Sequence, residues 1–192
     1  MSNTHPLQVD LGHGKVLEFI EGDITRETTD AIVNAANSSL LGGGGVDRAI
    51  HAAGGPAIVN ECRAWVERNG RLPTGKAMYT TAGRMPFKYV IHTVGPIWHS
   101  GAQGEPELLA SCYRESIRVA DELKLHSIAF PSISTGAYGY PIASAAQVAL
   151  HAVAETLRIT RFVHVGRFVL FGQRDYRVYA EAARTLAPPR PE

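Results

Sequence analysis

Asn34–Asp47 reads NAANSSLLGGGGVD: asparagines at 34 and 37, four consecutive glycines at Gly42–Gly45, and one carboxylate. An apolar run, Ala31-Ile32-Val33, precedes it, and a helical stretch, Val46–Ala53, follows. Glycine loses much backbone freedom on folding, so four in a row need a reason. At a strand-to-helix junction one reason is a phosphate, which requires backbone N–H groups and a helix N-terminus at close range. The competing reading is a flexible surface loop, and the glycines alone do not choose between them.

The flanking sequence narrows the choice. Upstream, Leu7–Leu11 and Lys15–Ile20 alternate as a strand pair turned at Gly12–Gly14, and Asp30–Asn34 is apolar enough for a central strand. Downstream, Gly54-Gly55-Pro56 stops the first helix and starts a second, Ala57–Asn69, with Ile58, Cys62 and Trp65 at helical spacing. Ala77–Thr81 and Tyr89–Val94 read as strands. Pro106 opens a helix to Leu123 whose stripe of Leu108, Leu109, Cys112, Tyr113, Ile117 and Ala120 faces a core. Ser127–Pro131 is a short buried strand, Pro141–Leu157 a helix, Phe168–Phe171 a last strand and Arg174–Leu186 a last helix. Alternating strands and helices predict a three-layer α/β/α fold with a mixed, largely parallel sheet. One domain spanning 1–192 accommodates it, with a core over 7–186 and a flexible tail, Ala187–Glu192.

In such sheets ligands bind beyond the carboxyl ends of the strands. Asp23, Asn34–Gly45 and Ser132–Tyr140 (SISTGAYGY) all follow strand ends, so three loops converge on one edge. That convergence favours the phosphate cradle. Asp47 falls at the helix start with His51 one turn on, and Asn37 stands before the glycines. Each has an ordinary explanation: Asp47 as helix-terminal charge, His51 as a surface histidine. Together they set a carboxylate, an amide and an imidazole around one loop. The carboxylate could orient or deprotonate a water, and the amide could hold a sugar hydroxyl. Ser134, Thr135, Gly136, Ala137 and Gly139 suit a second cradle, or simply a tight loop, and Tyr138 and Tyr140 could lie over a ring.

Bulk properties exclude several classes. Net charge is +1, from 19 Lys+Arg against 18 Asp+Glu, without a basic block, so no footprint for duplex nucleic acid exists. Cys62 and Cys112 lack CxxC spacing and read as buried free thiols. His51, His92, His99 and His151 show no HxxxH or HExxH spacing, so no metal is expected. Gly70–Lys76 spells GxxxxGK, but Ala77 replaces the hydroxyl residue and a strand follows, which argues against a P-loop. No GxGxxG occurs. The first residues, MSNTHPLQVDLG, lack a signal-peptide pattern, and no apolar run reaches membrane-spanning length, so a cytoplasmic location is expected.

Gly22-Asp23-Ile24-Thr25, DAIVNAAN (Asp30–Asn37), LGGGGVD (Leu41–Asp47), IHTVGPIW (Ile91–Trp98) and SISTGAYGYP (Ser132–Pro141) resemble the macro domain, specifically its MacroD-type branch. The resemblance covers nearly the whole chain, in the family's order. It implies an ADP-ribose-binding hydrolase that removes mono-ADP-ribose from acidic side chains and deacetylates O-acetyl-ADP-ribose, without metal or cofactor. By motif position, Asp23 would accept from the adenine amino group and Ile24 would add a backbone contact. Phe171 would form the adenine wall. Gly43, Gly44, Gly45 and Val46, with Ser134, Thr135, Gly136, Ala137 and Tyr138, would wrap the pyrophosphate. Asn37 would hold the distal ribose under Tyr138, Asp47 would be the catalytic carboxylate, and His51 would support it. Zinc ligands, paired glycohydrolase glutamates and a lysine nucleophile, found in other macro branches, have no counterpart here. The implied partners are ADP-ribose, O-acetyl-ADP-ribose and ADP-ribosylated proteins, with ADP-ribosylated nucleic-acid ends as further candidates; a monomer and no membrane are expected. A non-catalytic ADP-ribose reader and an ADP-ribose-1″-phosphate phosphatase stay open as alternatives.

Overall fold

The computed structural model describes residues 6–186; the tail expected at Ala187–Glu192 lies outside the described residues. Strands β1 (Leu7–Gly12), β2 (Lys15–Glu21) and β3 (Ala31–Ala36) lead into helices α1 (Gly45–Gly54) and α2 (Pro56–Asn69). Strands β4 (Ala77–Thr81) and β5 (Tyr89–Val94) follow, then α3 (Glu105–Glu122), β6 (Ser127–Phe130), α4 (Ile142–Ile159), β7 (Val165–Leu170) and α5 (Gln173–Ala183). The seven strands form one sheet in the order β1-β2-β7-β6-β3-β5-β4. Its five central strands run parallel, and both edge strands pair antiparallel. The sheet is therefore mixed and largely parallel, as the sequence predicts.

Alternation along the strands makes the layers. On β3, Ala31 and Val33 enter the core shared with α3, α4 and α5, whereas Ile32 enters the one shared with α1 and α2. On β5, Ile91 points to the first core, and Val90 and Val94 to the second. The same alternation directs Asn34 and His92, register partners on β3 and β5, toward the α1/α2 layer. Both are completely buried. Two polar side chains thus sit side by side within an apolar face, and this placement shapes the site.

The last strand differs from the sequence expectation. Strand β7 begins at Val165 instead of Phe168, because Gly166 and Arg167 interrupt the apolar pattern for tertiary reasons. A Cβ on Gly166 would lie 2.9 Å from Leu157 Cδ1, so only glycine lets α4 pack this closely. Arg167 is paired with Glu18 and Glu27, at 2.7 Å each. Phe171 accordingly lies just past the strand end. Beyond β2, Ile24–Arg26 forms a 3-10 turn capped by Asp23.

Candidate functional site

The parallel strands end along one edge, and a cleft of about 580 Å³ opens there. Asp23 and Ile24 line it from beyond β2, and Phe171 from beyond β7. Asn37, Gly43, Gly44, Gly45, Val46 and Asp47 line it from beyond β3, and Ser134, Thr135, Gly136, Ala137 and Tyr138 from beyond β6. The structure therefore brings most of the residues singled out from the sequence into one cavity; Gly42, Gly139 and Tyr140 do not line it, and His51 stands behind Asp47. Gly22, Gly95 and Asp175, which sequence reasoning passed over, also line it.

The four glycines separate by what each position demands. Gly42 and Gly45 have φ of 103° and 57°, a left-handed backbone that side chains disfavour. A Cβ on Gly43 would crowd Asp47 Oδ2 at 3.2 Å and Asn37 Nδ2 at 3.3 Å. Gly44 has ordinary extended dihedrals as the N-cap of α1, and a Cβ there would meet no atom within 4 Å. Nothing in the protein requires glycine at position 44, and its lack of a side chain leaves the cleft open at the start of α1. No side chain caps α1, which leaves the N–H groups of its first turn free to bind an anion. Asn37 braces the loop: its Nδ2 donates to Gly42 O at 2.9 Å, and its Oδ1 accepts from Ser39 N and Oγ.

The second loop is shaped by a tight approach. Ser134 adopts φ of 67°, and its hydroxyl is buried without a partner. A Cβ on Gly95 would fall 2.2 Å from that Oγ and 2.6 Å from Ile133 Cγ2. Gly95→Ala is expected to displace the loop and lower stability by about 1–3 kcal/mol, the usual cost of overpacking. Unchanged thermal unfolding would refute it. Tyr138 lines the cleft, but Tyr140 is buried against Trp98 with ring centroids 4.5 Å apart. Of the two tyrosines, Tyr138 is the one that can cover a ligand.

Asp47 is 3% exposed, and its two oxygens have different surroundings. Oδ1 accepts from Asn34 Nδ2 at 2.6 Å and lies 3.3 Å from His51 Nε2, within ion-pair distance but not aligned for a hydrogen bond. Oδ2 has no partner and sits beside Gly43 at the cleft wall. Behind Asn34, His92 Nδ1 is 3.1 Å from the same Nδ2. His92 is pushed down to about 3, first by burial and then by the His51 imidazole, against the opposing pull of Asp47. It is a neutral imidazole at physiological pH.

At the other end, Asp23 is exposed; its Oδ1 accepts from Thr25 N and Oγ1, which leaves Oδ2 for a ligand. Phe171 is 88% exposed, an aromatic ring with almost nothing covering it. Cys62 and Cys112 are both buried free thiols. Burial pushes Cys62 up to about 12 and Cys112 to about 11, so neither offers a thiolate. Among the described residues, no group of three or more His, Cys, Asp and Glu is placed to hold a metal ion, and no helix is long and apolar enough to cross a membrane.

Comparison with known proteins points one way. A family model described as Macro domain matches residues 33–149. A macro domain-containing protein of Caldanaerobacter subterraneus is 55% identical over 170 residues, covering 88% of this chain and 97% of the relative. An O-acetyl-ADP-ribose deacetylase of Salmonella gallinarum is 48% identical over 164 residues, covering 85% and 92%. A mutant macrodomain of Oceanobacillus iheyensis, solved with ADPR, superimposes with a TM-score of 0.90 at 45% identity, covering 95% of this chain and 98% of that one.

Proposed function

The chain belongs to the macro domain family, and from that premise we propose that it binds ADP-ribose and hydrolyses esters of its distal ribose. Its substrates on this reading are mono-ADP-ribosylated acidic side chains and O-acetyl-ADP-ribose. The observation that carries the catalytic part is Asp47: one oxygen is held from behind by Asn34, and the other is unpartnered at the cleft wall. A pure binding module has no use for a buried carboxylate prepared in this way.

The cleft's dimensions agree with the ligand. Asp23 and the Asn37–Asp47 loop follow β2 and β3, which stand three strand positions apart in the sheet. At about 4.8 Å per strand that is roughly 14 Å, suited to a ligand with a base at one end, a sugar at the other and a diphosphate between. Phe171 offers a face to the adenine and Asp23 Oδ2 an acceptor for its amino group. The free N–H groups at the start of α1 and those of the Ser134–Tyr138 loop take the diphosphate, where oriented donors stabilise charge. Asn37 and Tyr138 bound the distal ribose.

The reaction consumes one water and yields ADP-ribose and a carboxylic acid, from either the protein side chain or the acetyl group. Asp47 Oδ2 accepts a hydrogen bond from the water and aims its lone pair at the ester. Because the diphosphate is fixed by backbone donors, the ester is delivered to the same place each time, and positioning supplies much of the rate. His51, beside Oδ1, steadies the carboxylate. The deciding test is incubation with glutamate-linked mono-ADP-ribosylated protein and with O-acetyl-ADP-ribose. Release of ADP-ribose from both supports the proposal, and binding without release assigns the chain to readers.

The Asp23 role has its own test. Asp23→Asn keeps an oxygen to cap Thr25 but offers an amide where the adenine amino group needs an acceptor. ADP-ribose affinity is expected to fall about 10-fold or more, the worth of a charge-assisted hydrogen bond, with little change in the chemical step. Equal affinity by calorimetry would remove Asp23 from the adenine site.

A further inference from the structure

Asp47 could present its free oxygen to the cleft only if Asn34 holds the other, and Asn34 can hold it only in one of two amide orientations. What supports that orientation lies farther back. Thr80, on β4, is 1% exposed, and its hydroxyl donates to Thr81 O at 2.9 Å. The same Oγ1 is 3.0 Å from His92 Nε2. With its proton committed to the carbonyl, the Thr80 hydroxyl can only accept from the imidazole, so Nε2 carries the hydrogen. Nδ1 is then a bare lone pair, and it must accept from Asn34 Nδ2, 3.1 Å away. The second hydrogen of that amide goes to Asp47 Oδ1 at 2.6 Å.

The alternative arrangement fails at two points. Turning the Asn34 amide over would put its carbonyl oxygen against the carboxylate at hydrogen-bond range. It would also require a proton on His92 Nδ1, and the bare Nε2 would then face a Thr80 oxygen with no hydrogen to give. A longer contact, Cys62 Sγ at 3.9 Å, could supply a weak donor to Nε2 but leaves the clash with Asp47 in place. The outward atom of the Asn34 amide is buried without a partner in either orientation, so the Asp47 carboxylate, which can only accept, settles the direction of the chain.

We infer that His92 and Thr80 are positioning residues for the carboxylate: Thr80 anchors His92 through Nε2–H, His92 Nδ1 holds the Asn34 amide, and the amide holds the plane in which Asp47 meets the cleft. The catalytic consequence rests on the hydrolase reading, but the relay itself does not. It runs from the edge strand β4 to the cleft through buried side chains that line no part of it.

Two measurements test it. Long-range ¹H–¹⁵N correlation spectra of the unliganded protein report which nitrogen of His92 is protonated. Protonation at Nε2 with bare Nδ1 is expected, and protonation at Nδ1, or at both, overturns the relay whatever the protein hydrolyses. Thr80→Val removes the hydroxyl at constant shape, so the His92 Nε2–H loses its acceptor and the ring loses its anchor on β4. Shifted His92 ¹⁵N and Nε2–H signals are expected, with kcat lower by about 10-fold or more, by analogy with outer-shell partners of ligating residues. ADP-ribose affinity should stay the same, and Thr80→Ser should restore both spectrum and rate. An unchanged His92 spectrum in Thr80→Val overturns the Thr80 anchor, and an unchanged kcat with an altered spectrum overturns its link to catalysis. A wild-type protein that binds ADP-ribose without releasing product overturns the hydrolase reading instead, and the spectra then decide the relay on their own.

Discussion

Asp47→Ala is expected to lower turnover of mono-ADP-ribosylated glutamate about 10²–10⁴-fold, the range for a general base, while ADP-ribose still binds. Binding survives on the proposed reading, which places the carboxylate beside the distal ribose and leaves the diphosphate to backbone N–H groups. The isosteric Asp47→Asn should be equally slow, for a reason that the geometry makes specific. Asn34 donates to the oxygen at the Oδ1 position. The substituted amide therefore satisfies Asn34 with its own oxygen and turns its NH₂ toward the cleft, presenting donors where water needs an acceptor. The two variants differ in stability instead. Alanine leaves an Asn34 hydrogen unpaired in a buried setting, at a cost of about 1–3 kcal/mol, whereas asparagine keeps that bond. Single-turnover assays beside denaturation curves would show this split. Near-normal turnover in either variant would end the assignment of Asp47.

Most of the architecture was legible in the sequence because the central strands are apolar on both faces and the helices carry regular stripes. Where pattern and structure parted, a tertiary contact outweighed the local signal. Gly166 and Arg167 look unlike strand residues, yet one admits Leu157 and the other joins Glu18 and Glu27. The cleft wall was legible for a different reason: loops that hold a phosphate need glycines and small residues, and those stand out in one dimension. The residues behind Asp47 did not stand out. Asn34 was passed over in favour of Asn37, and His92 was weighed only as a metal ligand, because their meaning depends on register. Asn34 and His92 are 58 positions apart in sequence but opposite one another on adjacent strands. The available signal was a polar residue at an inward position in each of two apolar strands. Buried polar groups are paired, so two such positions call for a common explanation.

Acidification should expose the buried histidine through stability. His92 is held at about 3 in the folded protein, against an ordinary value of 6.5 in the unfolded chain. Above pH 6.5 neither state binds the proton and the group contributes nothing to the pH dependence. Between 6.5 and 3 the unfolded chain binds it and the folded protein does not, so stability falls as pH falls, by about 1.4 kcal/mol per pH unit. At pH 5 the loss is about 2 kcal/mol relative to pH 7.5. The window above pH 5 isolates the effect from the carboxylates. Glu105, for example, is held at about 2: burial alone would raise it, but backbone N–H groups including those of Ser100, Gln103 and His99 outweigh that, and its contribution is lost only as pH drops through about 4.5 and below. Urea denaturation of the wild type at pH 7.5 and pH 5, repeated on His92→Gln, separates the histidine from everything else. The variant should be less stable at pH 7.5 yet lose less on acidification, because its side chain does not titrate. Equal losses in the two proteins would mean that His92 takes up a proton in the folded state, and an imidazolium could no longer accept from Asn34. The same titration therefore bears on the site: the neutral ring that makes the fold acid-sensitive is the ring that orients the amide holding Asp47.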